Sequence, residues 1–119
     1  MKPINLTLPF PPSLNSYYRF AKGRMYITAK GKQYRKDVAA CIDQLESLQP
    51  ETGAIALRIL ACPPDKRKRD LDNLLKGLLD ALSVKGLGVY VDDSQIMRIW
   101  IGWGEQVTGG CLEVEITDA

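Results

Sequence analysis

The spacing of the apolar residues changes along this chain, and the order of those changes limits what it can fold into. Apolar and polar residues alternate with the two-residue period of a half-buried strand in several segments. The first such segment stops at a cluster of prolines, and another stops at Pro63-Pro64. The predicted strands are 4–10, 25–28, 54–62, 96–103 and 112–116, the last two joined as a hairpin through Gly109-Gly110.

Two segments between these strands have the spacing of an amphipathic helix instead. One begins after Thr28 and is predicted to end near Gln49-Pro50, with apolar residues at Tyr34, Val38, Cys41, Ile42, Leu45 and Leu48. The second takes Asp72 as its N-cap and ends around Lys85-Gly86, with an apolar stripe formed by Leu71, Leu74, Leu75, Leu78, Leu79 and Leu82. The segment 11–23 is rich in turn residues and is predicted to be a loop.

This order of elements predicts an α/β (α+β) fold. We expect residues 1–119 to form a single domain, with a mixed β-sheet and two helices packed on one face. No run of about 18 apolar residues is present, so no membrane association is expected, and we expect a cytoplasmic protein.

Charge and composition exclude several classes of active site and indicate the kind of partner. The chain has no histidine, which excludes a Ser-His-Asp triad, a Cys-His pair and histidine-ligated zinc within it. Residues 1–36 carry eight of the 16 Lys and Arg side chains and none of the 14 acids. Cations interleaved with tyrosines in this segment favour a nucleic-acid surface over a merely solvated face.

The second basic segment is followed directly by acids. Lys66, Arg67, Lys68 and Arg69 precede Asp70 and Asp72, and a further acid pair, Asp92-Asp93, follows the second helix. Cations attract phosphates, and carboxylates coordinate a hard cation such as Mg²⁺, so the combination indicates phosphodiester chemistry. The chain must travel back along the helix for these carboxylates to meet. The alternative is that Asp72 is a helix cap and that Asp92-Asp93 are turn residues.

Lys76 lies one helical turn after Asp72, on the same face. It could form an i,i+4 ion pair with Asp72, which Asp80 could join. The functional alternative places its ammonium group beside the scissile phosphate, where it would stabilise developing charge.

Three motifs together resemble those of the RusA family of Holliday junction resolvases. They are Leu8-Pro9-Phe10-Pro11-Pro12-Ser13-Leu14-Asn15, Arg69-Asp70-Leu71-Asp72-Asn73-Leu74 with Lys76, and Val91-Asp92-Asp93-Ser94-Gln95-Ile96. The resemblance covers nearly the whole chain. It differs in a slightly longer connection at 84–90 and in a basic segment that mixes lysine with arginine.

The resemblance implies a homodimeric, Mg²⁺-dependent endonuclease, often encoded in prophages, that resolves four-way junction DNA by paired nicks. It assigns the metal site to Asp70, Asp72 and Asp93 and the catalytic lysine to Lys76. A two-fold dimer would also match the symmetry of a junction, since one active site makes one nick. The residues expected to contact DNA are Lys66, Arg67, Lys68, Arg69, Asn15, Tyr17, Tyr18, Arg19, Lys22 and Arg24.

Two other functions fit the residues. One is a non-catalytic protein that binds branched DNA, whose acids are only caps and turns. The other is a nuclease of the same fold that acts on forks or flaps.

Overall fold

The computed structural model describes residues 2–45, 51–83 and 88–119. Its elements are β1 (Ile4–Leu8), α1 (Leu14–Tyr17), β2 (Tyr18–Ala21), β3 (Arg24–Ile27), α2 (Ala29–Asp43), β4 (Ile55–Cys62), α3 (Asp72–Leu82), a 3₁₀ turn (Asp93–Gln95), β5 (Ile96–Trp103) and β6 (Cys111–Asp118). The predicted mixed sheet is confirmed: its order is β1-β6-β4-β5, and β2 and β3 form a separate hairpin.

The predicted hairpin between the last two strands is wrong. β6 lies between β1 and β4 and is antiparallel to both, whereas β5 pairs in parallel with β4. Parallel neighbours need a crossover connection, and α3 supplies it. The chain therefore passes from the end of β4 back along α3 to the start of β5.

The core lies between the helices and one face of the sheet. Ile55, Leu57 and Ile59 of β4 join Val38 of α2 and Leu78 of α3 in one buried cluster. The residues that alternate with them lie on the opposite face of the sheet, which carries Leu60 and the polar side chains of Asn5, Thr7, Arg58, Glu113 and Glu115. This arrangement confirms that the longer helices cover a single face.

The predicted boundaries need three corrections. The segment 11–23 contains the one-turn helix α1 and the strand β2, both too short to leave a period in the sequence. Helix α2 ends at Asp43, and the predicted end at Gln49-Pro50 lies outside the described residues. Helix α3 ends at Leu82, and its predicted end at Lys85-Gly86 is likewise outside them.

Tyr17 joins α1 to both longer helices. Its ring is 1% exposed, and it lies against two helical glycines, Gly31 of α2 and Gly77 of α3. A Cβ atom at Gly77 would lie 2.7 Å from the ring, so only glycine leaves room for the tyrosine here. Its hydroxyl donates to the Gly77 carbonyl at 3.2 Å, which fixes the ring between the helices.

No helix in the described parts of the chain is long and apolar enough to cross a membrane.

Candidate nuclease site

The basic segment 66–69 and Asp70 lie at the edge of the sheet where β4 and β5 end. Asp70 lines a groove together with Pro63, just after β4, and Trp103, the last residue of β5. Asp70 is exposed, and so are Lys66, Arg67 and Lys68. Cations and a carboxylate thus share one open edge, as an approach to a phosphate backbone requires.

Asp65 organises the arginines of this segment. Its carboxylate accepts from Arg69 Nη1 at 2.8 Å and from Arg67 Nη2 at 3.1 Å. The hydrogen bonds from Arg69 and Arg67 hold the pKa of Asp65 well below its ordinary value. Lys66 and Lys68 form no ion pair among the described residues, so their charges stay available to an external anion.

Asp72 is the first residue of α3 rather than its N-cap, which corrects the predicted helix start. Leu71 precedes it with helical backbone angles, and no side chain caps the helix. Within the described structure, the carboxylates of Asp70 and Asp72 accept no hydrogen bond and form no ion pair, and both residues are exposed. Two free carboxylates two residues apart offer the oxygen ligands that Mg²⁺ prefers, without competing soft donors.

Lys76 pairs with Asp80 instead of Asp72. Its Nζ lies 3.3 Å from Asp80 Oδ2 and 5.0 Å from the centre of the Tyr18 ring. Asp80 also accepts a hydrogen bond from the Tyr18 hydroxyl and lies 3.8 Å from Arg35 Nη2. Burial, followed by the hydrogen bond to Asp80, raises the pKa of Tyr18, which therefore stays protonated as the donor. The ammonium group of Lys76 is thus held in place by Asp80 of α3 and Tyr18 of β2, and Arg35 of α2 lies beside the same Asp80 carboxylate.

Asp92 and Asp93 have different surroundings. Asp92 caps the 3₁₀ turn: its side chain accepts from Ser94 N at 2.9 Å, and Gln95 Oε1 accepts from Asp92 N at 2.8 Å. Asp93 accepts from the Tyr90 hydroxyl at 3.0 Å, and that hydroxyl also lies 3.3 Å from the carbonyl of Leu79 on α3. Burial, followed by the charge of Asp93, raises the pKa of Tyr90, so the hydroxyl remains a donor.

The two groups of acids do not meet within one chain. Asp70 lies where β5 ends, whereas Asp93 lies just before β5 begins, and the strand has eight residues. At about 3.3 Å per residue, the separation is on the order of 25 Å. Among the described residues, no group of three or more Asp, Glu, Cys or His side chains is arranged to hold a metal ion. For the acids to meet, β5 would have to begin near Asp70. Because β5 is parallel to β4, it begins instead at the opposite edge of the sheet.

A second basic surface lies beside the first. A groove of about 700 Å³ runs from Phe10 and Ser13 past Lys30 of α2 to Lys68 and Arg69. The guanidinium of Arg69 lies 5.5 Å from the centre of the Phe10 ring. Of the residues predicted to contact DNA from the N-terminal segment, Asn15, Arg19, Lys22 and Arg24 are exposed, Tyr18 is partly buried and Tyr17 is buried. The Tyr17 side chain therefore packs the core and supports Tyr18 from behind, with their rings stacked at 4.5 Å.

Comparison with known proteins identifies the family. The family profile described as Endodeoxyribonuclease RusA matches residues 9–117. The chain belongs to the RusA family. A protein of Enterobacteria phage HK97 named Crossover junction endodeoxyribonuclease rusA is 42% identical over 99% of this chain and 97% of its own length. Relatives with the same printed name from Escherichia coli K12 and Enterobacteria phage 82 are 38% and 39% identical over the same shares.

Two contacts of the site are absent from the sequence-based predictions, those of Asp65 and of Tyr90. Asp65 precedes Arg67 by two residues and Arg69 by four, a spacing that is visible in the sequence. Asp80 was expected only to join an ion pair between Lys76 and Asp72, whereas it is itself the ion-pair partner of Lys76. No sequence pattern indicates a role for Tyr90, because its contact with Leu79 depends on the tertiary packing of Tyr90 against α3.

Proposed function

We propose that this protein is a Mg²⁺-dependent endonuclease that resolves four-way DNA junctions by paired, symmetric nicks, acting as a homodimer in the cytoplasm. Membership of a family of endodeoxyribonucleases supports the reaction class. The observation that carries the proposal is the segment from Lys66 to Asp72. There the carboxylates of Asp70 and Asp72 and the cations of Lys66 and Lys68 are exposed and have no side-chain partner among the described residues. The names of the relatives support a junction as the substrate.

The metal ligands in this proposal are Asp70, Asp72 and Asp93. A bound Mg²⁺ would supply Lewis-acid stabilisation of the phosphate and a nucleophilic water at neutral pH. Lys66 and Lys68 contact the phosphate backbone, and Lys76 stabilises the charge that develops on the phosphate oxygens. Asp80 and the Tyr18 ring keep the Lys76 ammonium in place.

A second copy of the chain supplies the third carboxylate. Strand β5 is an edge strand that carries exposed apolar side chains at Met97, Ile99 and Trp100. Such an edge has unpaired backbone groups that can extend a sheet. If two β5 strands pair antiparallel about a two-fold axis, the start of one strand lies beside the end of the other. Asp93 of the partner subunit then lies beside Trp103, at the edge that holds Asp70.

The dimer also fits the substrate. A four-way junction has two-fold symmetry, and each composite site makes one nick, so a two-fold dimer cuts symmetric strands. This geometry favours resolution of a junction over the cutting of a fork or flap, which lacks that symmetry.

The test is cleavage of labelled junctions, forks and linear duplex, with and without Mg²⁺. The native protein is expected to nick the junction symmetrically only with Mg²⁺. Asp70→Asn removes one ligand charge, so it should bind the junction like the native protein and make no nicks. Full cleavage by Asp70→Asn would remove Asp70 from the mechanism. Junction binding by the native protein with no Mg²⁺-dependent product would instead favour the non-catalytic alternative.

A further inference from the structure

The hairpin β2–β3 projects from the body of the protein and ends in a tight turn. Its strands pair directly, with Phe20 opposite Met25 and Ala21 opposite Arg24. The two turn residues, Lys22 and Gly23, both have positive φ angles, 52° and 71°, as a two-residue hairpin turn requires. The hairpin is separate from the four-stranded sheet.

The two faces of this hairpin differ. On one face, Tyr18 and Ile27 pack against the core at the base. The same face continues outward to Phe20 and Met25, which are 73% and 58% exposed.

The other face carries the hairpin's arginines and Tyr26. Arg19 pairs with Tyr26, and Arg24 lies next to the turn, where Lys22 adds a third cation. The hairpin therefore has an apolar pair on one face and positive charge on the other face and at the turn.

We propose that Phe20 and Met25 form a wedge that inserts among the bases at the branch point of the junction and unstacks them. The inference rests on the proposed function and extends it to how the DNA is opened. Apolar side chains such as Phe and Met are the types that wedge between base steps. The cations on the other face and at the turn favour a nucleic acid over an apolar protein surface, because the phosphates beside the inserted pair can neutralise them.

The position of the wedge suits the site. The hairpin base is next to Lys76, whose Nζ lies 5.0 Å from the centre of the Tyr18 ring. Phe20 is two residues further out, about 7 Å along an extended strand, or roughly two base steps. The wedge thus acts close to the phosphate that Lys76 serves.

The first measurement uses the Asp70→Asn protein, which prevents cleavage, and junctions with 2-aminopurine beside the branch point. Its fluorescence rises when the base unstacks. We expect the full-length Asp70→Asn protein to produce this rise and the added pair Phe20→Ser and Met25→Ser to lose most of it. Junction affinity should change by less than about tenfold, because lost stacking and the avoided cost of unstacking oppose each other.

The contrast variant is Arg24→Ala, which removes a cation from the same hairpin. It should weaken binding to duplex and junction alike and leave the fluorescence rise at saturation unchanged. Both residues of the wedge are exposed, so thermal melting of the double variant should match that of the parent. If the double variant does not fold, Phe20→Ser alone serves the same measurement.

Cleavage gives a second readout, in the chain with native Asp70. The Phe20→Ser and Met25→Ser protein should cut a fully paired junction slowly and recover on a junction with mismatches at the branch point. An undiminished fluorescence rise, or no recovery on mismatched junctions, would overturn the wedge. Loss of self-association in sedimentation would overturn it too, by assigning the pair to a protein interface. If the native protein cleaves nothing, the proposed function fails instead.

Discussion

The composite site makes a quantitative prediction about mixed dimers. In the proposed dimer each site takes Asp70 and Asp72 from one chain and Asp93 from the other. In a dimer of one Asp70→Asn chain and one Asp93→Asn chain, one site carries both substitutions and the other carries neither. If all three acids came from one chain, both sites of that dimer would be damaged.

The expected magnitude follows from counting sites. When the two variants are co-refolded in equal amounts, half of the dimers are mixed, and each has one intact site. Nicking should therefore return to about one quarter of the native level, while each variant alone is inactive. Mixed dimers make one nick per junction, so the product should be nicked junctions rather than resolved duplexes.

The assay is cleavage of a junction with both candidate strands labelled, analysed on native and denaturing gels. The control mixes Asp70→Asn with Asp72→Asn, which belong to the same half-site and should not complement each other. Inactive Asp70→Asn and Asp93→Asn mixtures would refute the composite site, provided that sedimentation shows mixed dimers. If nicking recovered equally in the control mixture, the assignment of Asp70 and Asp72 to the same half-site would be refuted.

Two further predictions concern tyrosines. Tyr90→Phe removes the hydroxyl that donates to Asp93, a proposed metal ligand. The Mg²⁺ concentration for half-maximal nicking should rise about tenfold, since removing a hydrogen-bond partner of a metal ligand typically has an effect of this size. An unchanged Mg²⁺ titration would contradict this role of Tyr90. Burial raises the pKa values of Tyr34 and Tyr90, so the folded protein keeps protons that the unfolded chain loses above about pH 10. The contribution of these two tyrosines to stability is full below that pH and falls as pH rises, by about 3 kcal/mol for the two together at pH 11. Urea unfolding at pH 9 and 11 should show a loss of at least this size, because the raised pKa of Tyr18 adds to it.

The sequence predicted most elements because their periods are local properties. Strand β4 alternates over eight residues, and α3 has a clear apolar stripe, so both were identified from spacing alone. The position of β6 between β1 and β4 is decided by tertiary pairing, and the Gly109-Gly110 turn contains no information about it. In the hairpin β2–β3, the predicted strand 25–28 corresponds to β3, whereas β2, with four residues inside a segment rich in turn residues, was missed.

The candidate site, like the fold, was predictable from the sequence only in its local features. The residue types at Asp70, Asp72 and Lys76 were sufficient to indicate phosphodiester chemistry, because ligand preference and charge depend on the side chains themselves. Their distance from Asp93 depends on the direction in which β5 pairs with β4, and no local pattern encodes that direction. Tyr90 shows the same limit, since its partners come from α3 and from the turn before β5.

The crossover explains why the proposed metal site needs a second chain. In a β4–α3–β5 unit with parallel strands, residues after the first strand and residues before the second lie at opposite edges of the sheet. Acids placed in those two connections cannot share a metal ion in one chain, but a two-fold axis along the free edge of β5 exchanges the edges. In the proposed dimer, a complete carboxylate set therefore forms only on assembly. Hydrolysis is then linked to the presence of two sites, which favours paired nicks over a single cut that would leave the junction unresolved.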